Sequence, residues 1–481
     1  MKKSITYIIT SIFLCTGFSS CSDFLTVTPV GRTDIPTLFS DIQGIRAATS
    51  GTYASVFSYY NSFFYRYPEV AGNMVQFSAT NAEMLEQYNF TSVPEDLSIV
   101  NGIWKDIAYA LANANAVLYY HPDILKDYKH LEDELISIKA EMLFLRALCH
   151  FDLCRVYAQP YNYTPDASHL GIPILKSTPT FDENRSRSST KEVYQVIIDD
   201  LIEAIALFEN TTYQRTNATA KYASKEACCA LLSRVYLYMG NWDNAISYSS
   251  QVIDRIPLSK GDEYLRMFSS THLGEEAIFR LDGLKQRASQ TSFYGSAQPR
   301  VFPADTLIKL LHPDDIRLHV LTDNKNEDGV ISVYPVCRKF TVPINATEDQ
   351  DINNPIVLRC SEIYLNRAEA YLNKGELAKA ATDVKEIIAR ALQKQVSEIS
   401  LPETDKEALT HIIEVERAKE LCFEGHQLFD ITRRKQDLVR DQHTNSTVKY
   451  LPYPNDRFVL PIPQRELGAN PNMQPNPTIN N

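Results

Sequence analysis

Several features are scarce or missing in this chain of 481 residues, and each excludes a class of protein. The nine cysteines include no CxxC pair, which argues against a zinc knuckle or a dithiol redox motif. No basic block offsets the net charge of −11, so the chain is a poor candidate for binding nucleic acid. Beyond residue 29, no run approaches 18 consecutive apolar residues, so we expect no membrane-spanning helix in the body of the chain.

Tryptophan is also rare, with 2 residues against 27 tyrosines and 21 phenylalanines. Trp104 lies in a helical pattern and Trp242 in the turn of a repeat, so we expect both in the core. Any exposed aromatic platform therefore has to use tyrosine or phenylalanine. The cysteines that follow Cys21 have no metal-site or redox spacing, and we expect them to be buried and free.

Residues 1–20 have the pattern of a signal peptide, in which two lysines precede an apolar segment too short to span a bilayer. Ser19 and Ser20 directly precede Cys21, and this arrangement resembles a bacterial lipobox. Cys15 is a weaker candidate because bulky residues precede it. We predict that Cys21 is the lipid-modified first residue of the mature chain; ordinary cleavage that leaves a free Cys21 is the alternative.

From Asp34 onward, the spacing of apolar residues predicts a mainly α-helical fold built from helix pairs. The pairs are expected near 97–157, 190–254 and 358–435. Pro122 is expected to end the first helix of the first pair, because proline cannot donate the backbone hydrogen bond that a helix interior needs.

Two of these pairs share an internal repeat centred on Gly240 and Gly375. Each glycine has a tyrosine four residues before it, a bulky apolar residue two after it and an alanine five after it. These residues are Tyr236, Trp242 and Ala245 in one copy and Tyr371, Leu377 and Ala380 in the other. Glycine suits the left-handed end of a helix, and alanine lets two helices approach closely. The pattern resembles the tetratricopeptide repeat (TPR), which is typical of interaction scaffolds.

Two stretches depart from the helical pattern and are expected to be loop-rich or partly β, namely 72–94 and 255–357. Asp328-Gly329 predicts a hairpin turn in the second stretch. The tract around it half-resembles a calcium loop, but Pro335 replaces the closing glutamate, so no metal site is predicted. Long loops on a rigid scaffold are where binding surfaces tend to lie.

Glu416, Glu420 and Glu424 fall on one face of a predicted helix. Glycoside hydrolysis needs two carboxylates on either side of the scissile bond, which one helix face does not provide. We predict instead a structural ion network with nearby arginines, which are Arg417, Arg433 and Arg434. Since the chain also lacks a P-loop, a nucleophile elbow and a zinc signature, no catalytic residue or cofactor is predicted.

Several segments together resemble the SusD/RagB family. The strongest resemblance lies in ALTHIIEVERAKELCFEGHQLFDITRRK at 408–435 and in the closing LPIPQRELGANPNMQPNP at 460–477. Two helices, at 140–157 and 358–376, and the start at Cys21 also match family motifs, whereas Gln427 and Arg434 depart from them; these departures question local packing rather than membership.

The resemblance implies a cell-surface lipoprotein of the Bacteroidetes outer membrane, with a SusD-like domain over 21–481. Such a protein has a TPR-containing helical scaffold with a variable ligand face, no catalytic activity and no cofactor. It caps a SusC-like TonB-dependent transporter and delivers a captured nutrient, usually a glycan or oligosaccharide. A peptide ligand, as in the RagB branch, is the alternative, and a helical glycoside hydrolase is a more distant one.

We expect the ligand where 72–94 meets 283–303, a choice that also follows the family's use of such loops. Aromatic side chains offer stacking area, and amides and arginine offer directional hydrogen bonds. The predicted ligand-binding residues are Phe77, Tyr88, Phe293, Tyr294, Asn73, Gln76 and Arg300. Tyr294 is the leading candidate because its small and polar neighbours suggest a position outside the core. The alternative is that these aromatics only pin the loops onto the scaffold.

Overall fold

The structure, a computed structural model, describes residues 34–79, 81–177, 183–213, 215, 220–268, 275–283, 289–295, 298–321, 323–325, 331–340 and 354–477. The fold is mainly α-helical, as predicted. The helices are α1 (Ile35–Leu38), α2 (Ile42–Tyr60), α3 (Phe63–Val70), α4 (Leu85–Tyr88), α5 (Val100–Asp127), α6 (Glu132–Tyr157), α7 (Thr190–Glu209), α8 (Lys225–Met239), α9 (Trp242–Ile253), α10 (Asp262–Arg266), α11 (Asp305–Leu310), α12 (Leu318–Leu321), α13 (Cys360–Asn373), α14 (Leu377–Ala391), α15 (Lys406–Leu421), α16 (Gln427–Arg433) and α17 (Gln464–Ala469).

Strands are short and pair two by two within the described ranges. They are β1 (Val75–Phe77), β2 (Ala277–Arg280), β3 (Val301–Pro303), β4 (Asp323–Lys325), β5 (Ile331–Val336), β6 (Ile356–Arg359), β7 (Leu438–Val439) and β8 (Tyr450–Leu451). The antiparallel pairs are β1–β3, β2–β6, β4–β5 and β7–β8. Both departures from the helical pattern thus contain strands, while the predicted turn Asp328-Gly329 and most of the calcium-like tract lie outside the described residues.

The stretches predicted to hold helix pairs are helical, with two α-helices in 97–157, three in 190–254 and four in 358–435, but the predicted break at Pro122 is wrong. Helix α5 continues through Pro122 to Asp127. Beyond the proline, Ile124 is only 3% exposed, and the His121 ring lies 2.8 Å from the Leu135 carbonyl oxygen of α6. The packing of this last turn on α6 compensates for the one intrahelical hydrogen bond that proline removes.

The repeat has the predicted geometry at both copies. Gly240 ends α8 with φ of +72°, and Gly375 follows α13 with φ of +78°. Trp242 and Leu377 then begin the second helix of their pairs. The two repeat alanines, Ala245 and Ala380, are completely buried.

Large residues at the repeat alanines are expected to destabilise the fold. Ala245→Trp and Ala380→Trp overpack a helix crossing, which costs about 1–3 kcal/mol. Ala378→Trp is the matched control, because Ala378 lies on α14 but is exposed. Thermal unfolding should show a lower melting temperature for the two buried variants and little change for the control. Equal melting temperatures in all three would contradict this helix packing.

The expectations for the cysteines and for Trp104 are confirmed, whereas Trp242 lies at the edge of the core. The seven cysteines among the described residues are all buried and free. Trp104 is 4% exposed, while Trp242 is partly buried and packs against the main core. Cys21, the predicted lipidation site, lies outside the described residues.

A tight turn after α15 is anchored on Glu69, at the end of α3. Phe423 and Gly425 both have positive φ, and the backbone N–H groups of Phe423, Gly425 and His426 each donate to the Glu69 carboxylate at 2.9 Å. Burial raises the pKa of Glu69, and these donors oppose the shift. Because Glu69 lies near the end of α3, the turn fixes the point from which the 72–94 stretch departs.

Candidate functional site

The two stretches predicted to form the ligand site meet in the structure. Strand β1 pairs antiparallel with β3, with Gln76 opposite Phe302. The hairpin of β7 and β8 and its connecting loop cover the neighbouring backbone, because Asn445 donates to the Phe77 carbonyl oxygen at 3.0 Å. We call the surface formed by residues 72–79, 298–303 and 437–451 the loop face.

The predicted aromatic residues lie in the core beneath the loop face. Phe77 and Tyr88 are 2% and 0% exposed, and their rings stack with centroids 4.1 Å apart. Phe293 is also completely buried. These three rings pin the loops onto the scaffold, which is the alternative that the sequence left open.

The expectation that Tyr294 lies outside the core is wrong. Tyr294 is completely buried, with its ring centroid 5.4 Å from that of Phe340 and 5.1 Å from that of Phe423. The small residues next to Tyr294 in the sequence do not indicate these ring contacts, because Phe423 is far away in the chain, in the turn after α15. In this structure Tyr294 has no exposed face for a ligand.

The predicted polar residues remain accessible. Asn73 donates to the Val439 carbonyl oxygen at 3.0 Å, and Gln76 donates to that of His443 at 3.4 Å; both side chains are half-buried. The Arg300 side chain is 49% exposed and pairs with Glu83. Glu83 also accepts from Arg66 at 2.6 Å, so one carboxylate holds two guanidinium groups at the edge of the loop face.

Sequence reasoning missed the hairpin of β7 and β8. Val439 and Tyr450 are cross-strand partners, and they are 56% and 57% exposed. The Tyr450 hydroxyl donates to Asp437 at 2.7 Å, which fixes the ring in place. The only signal was a pair of short segments rich in apolar residues, Leu438-Val439 and the VKYL segment at 448–451, that flank a polar segment.

Arg440 holds this hairpin against the 72–94 stretch. Its buried guanidinium donates to the carbonyl oxygens of Gly72 at 2.8 Å and Tyr88 at 2.6 Å, and to the Ser446 hydroxyl at 2.7 Å. Burial lowers the pKa of Arg440 to about 10. Polar side chains therefore share the loop face with two exposed residues of the hairpin, Val439 and the aromatic Tyr450.

The three glutamates of the rival catalytic hypothesis form a structural ion network, as predicted. Glu420 is completely buried, within 2.6 Å of both Arg359 and Arg390. Burial alone would raise its pKa, but these two guanidinium groups together with Arg317 and Lys339 outweigh burial and hold the pKa of Glu420 well below its usual range. Glu416 pairs with Arg317 at 2.9 Å, and Glu424 pairs with Arg359 at 2.7 Å.

The predicted arginine partners of these glutamates are wrong. Arg417 pairs with Asp430 at 2.7 Å, while Arg433 and Arg434 pair with Glu369 at 2.5 and 2.6 Å. Because Arg433 also pairs with Asp430 at 2.8 Å, these arginines belong to a second connected network of buried charges. Within the described ranges, no group of three or more His, Cys, Asp or Glu residues is placed to hold a metal ion.

Comparison with known proteins identifies the class. Residues 317–478 match the model of the SusD family, and residues 29–237 match a SusD-like model described as starch-binding and associating with the outer membrane. A SusD-like protein of Formosa agariphila is 25% identical, with 99% of each chain covered, and a second from the same organism is 22% identical over 98% of each.

Solved structures agree. A SusD superfamily protein of Bacteroides thetaiotaomicron superposes with a TM-score of 0.79 at 25% identity, covering 91% of this chain and 100% of that one. A candidate sugar binding protein of Bacteroides vulgatus superposes with a TM-score of 0.77 at 25% identity, covering 91% and 98%. The chain belongs to the SusD/RagB family. No helix in the described part is long and apolar enough to cross a membrane.

Proposed function

We propose that this chain is a cell-surface lipoprotein that captures a glycan or oligosaccharide and delivers it to a SusC-like TonB-dependent transporter. Its correspondence with SusD structures over nine-tenths of its length is the main support. It would bind without chemical turnover, since the acidic residues of the C-terminal helices are neutralised by buried cations. The domain would extend from Cys21 to the C-terminus, after removal of residues 1–20.

The loop face is the proposed ligand surface. Asn73, Gln76 and Arg300 supply amide and guanidinium groups for sugar hydroxyls, as the sequence suggested. Tyr450 replaces the buried aromatics as the ring against which a sugar could stack, since 57% of it is exposed. The buried rings of Phe77, Tyr88 and Phe293 then pack beneath the loop face and fix the position of the backbone that carries these polar side chains.

Binding by the soluble chain that starts at Ser22 tests this function. A glycan array identifies an oligosaccharide, and calorimetry then compares Tyr450→Ala with Tyr119→Ala, a tyrosine that is 71% exposed on α5. We expect about tenfold weaker binding for the first variant, equivalent to about 1.4 kcal/mol, and no change for the second. Absence of any glycan ligand, or release of a cleaved product, would contradict the proposed function.

Substitution of the predicted anchor should release the protein from membranes. Cys21→Ala removes the acyl chains, each buried CH₂ of which contributes about 0.8 kcal/mol to membrane binding. Fractionation should find this variant soluble, whereas Cys15→Ala should remain with the membranes as its control. Cys21→Ala that still partitions into detergent would show that the anchor lies elsewhere.

The transporter is tested separately. Mild detergent extraction of the native protein should recover a TonB-dependent barrel together with it. A lipoprotein that is repeatedly extracted alone would count against delivery to a transporter while leaving glycan capture intact.

A further inference from the structure

A cavity of about 170 Å³ lies where the 72–94 stretch meets residues 456–461. Tyr67, Phe90 and Leu460 contribute apolar walls, while Asp456 and Arg457 supply charged groups. None of the residues predicted to bind ligand lines this cavity. Pockets for drug-sized ligands measure about 300–1,000 Å³, so this one has room for a single ring-sized group.

Gln87 gives the cavity a specific polar requirement. Its side chain lines the cavity and is 1% exposed, and its amide N–H groups donate to Ser92 at 3.1 Å and Asp96 at 3.3 Å. Its amide oxygen is buried and accepts no hydrogen bond from the described residues. Leaving a buried acceptor unpaired costs about 1–3 kcal/mol, so a ligand that donates an O–H group here gains from pairing it.

The chemistry of the walls selects a neutral ligand. Asp456 and Arg457 give the lining one charge of each sign, so the walls carry no net charge, and the Gln87 amide oxygen needs a hydrogen-bond donor that an ionised carboxylate or phosphate lacks. A pyranose ring instead has an apolar C–H face, which suits Phe90 and the aliphatic walls, and a rim of hydroxyls. The hydroxyls of Thr91 and Ser92 also line the cavity and add hydrogen-bonding capacity.

We infer that this cavity is a second binding site, separate from the loop face, that takes one neutral sugar ring. The choice of a sugar rests on the proposed function, whereas the size and the unpaired acceptor come from the cavity itself. A glycan held on the loop face and a single ring in this cavity would then be independent binding events.

Ligand-observed NMR with methyl glycosides of glucose, galactose, mannose, fucose, xylose and N-acetylglucosamine tests the inference. Val93→Trp should block the cavity, because Val93 lines it and is 46% exposed. Leu97→Trp is the control, since Leu97 is 56% exposed and does not line the cavity. We expect saturation transfer to at least one glycoside in the native chain, at least tenfold weaker binding in Val93→Trp and native binding in Leu97→Trp.

Two further variants separate the two sites. Tyr450→Ala should keep methyl glycoside binding while weakening oligosaccharide binding. Gln87→Leu should weaken methyl glycoside binding while keeping oligosaccharide binding. Circular dichroism should confirm that each variant is folded. If the native chain binds an oligosaccharide but no methyl glycoside, this inference is wrong and the proposed function stands. Glycoside binding that survives Val93→Trp also overturns it, and absence of binding to any sugar overturns both proposals.

Discussion

Arg359→Leu is expected to lower the free energy of unfolding by about 3–5 kcal/mol, because it leaves buried carboxylates without their main cation. Arg359 is 1% exposed and pairs with Glu276 at 2.9 Å, Glu420 at 2.6 Å and Glu424 at 2.7 Å. Leucine can fill part of the space but cannot compensate the charges. Denaturant unfolding of the soluble chain from Ser22 measures the loss.

A surface arginine provides the control for this substitution. Arg255 pairs with Glu226 at 2.6 Å, but its side chain is 56% exposed, so water solvates both charges when the pair is broken. Arg255→Leu should therefore cost about 0–1 kcal/mol. A similar small loss in both variants would mean that the buried network contributes little to stability.

Tyr294→Ala is expected to destabilise the protein by about 3–5 kcal/mol, the range for large aromatic residues deleted from a core. The buried ring packs against Phe340 and Phe423, and its removal leaves a cavity between the turn after α15 and the 289–295 segment. Thermal and denaturant unfolding should both register this loss.

Two controls separate packing from ligand contact. The Tyr294 hydroxyl is buried and makes no hydrogen bond to the described residues, so Tyr294→Phe should keep native stability. Tyr119→Ala, at an exposed ring, should change stability by less than about 0.5 kcal/mol. If Tyr294→Ala instead keeps its stability and loses affinity for the ligand, the ring contacts ligand in a conformation different from this one.

Local signals in the chain predicted much of the scaffold correctly. Apolar spacing located the helical stretches, and the two repeat glycines follow α8 and α13 with positive φ, as the repeat predicts. These features depend on a few neighbouring residues, because helix periodicity and capping act within one or two turns. The prediction from local sequence that the helix ends at Pro122 is wrong, because packing on α6 stabilises α5 beyond the proline.

The candidate site was predicted only in part. The sequence indicated which stretches meet, and it identified Asn73, Gln76 and Arg300 as accessible polar groups. It could not distinguish exposed tyrosines from buried ones, because tyrosine suits both environments. The hairpin that carries Tyr450 follows the helices by which the family is recognised, and nothing in its local pattern indicates that it packs beside β1.

The sequence by itself determined the helical class, the repeat, the family and the polar character of the loops. Tertiary structure decided which ring is exposed and which cation neutralises each carboxylate, because these depend on residues far apart in the chain. Glu69 accepts from the Phe423 backbone 354 residues later, and Tyr294 is covered by the ring of the same residue. Burial is a property of such contacts, which form only when the whole chain has folded.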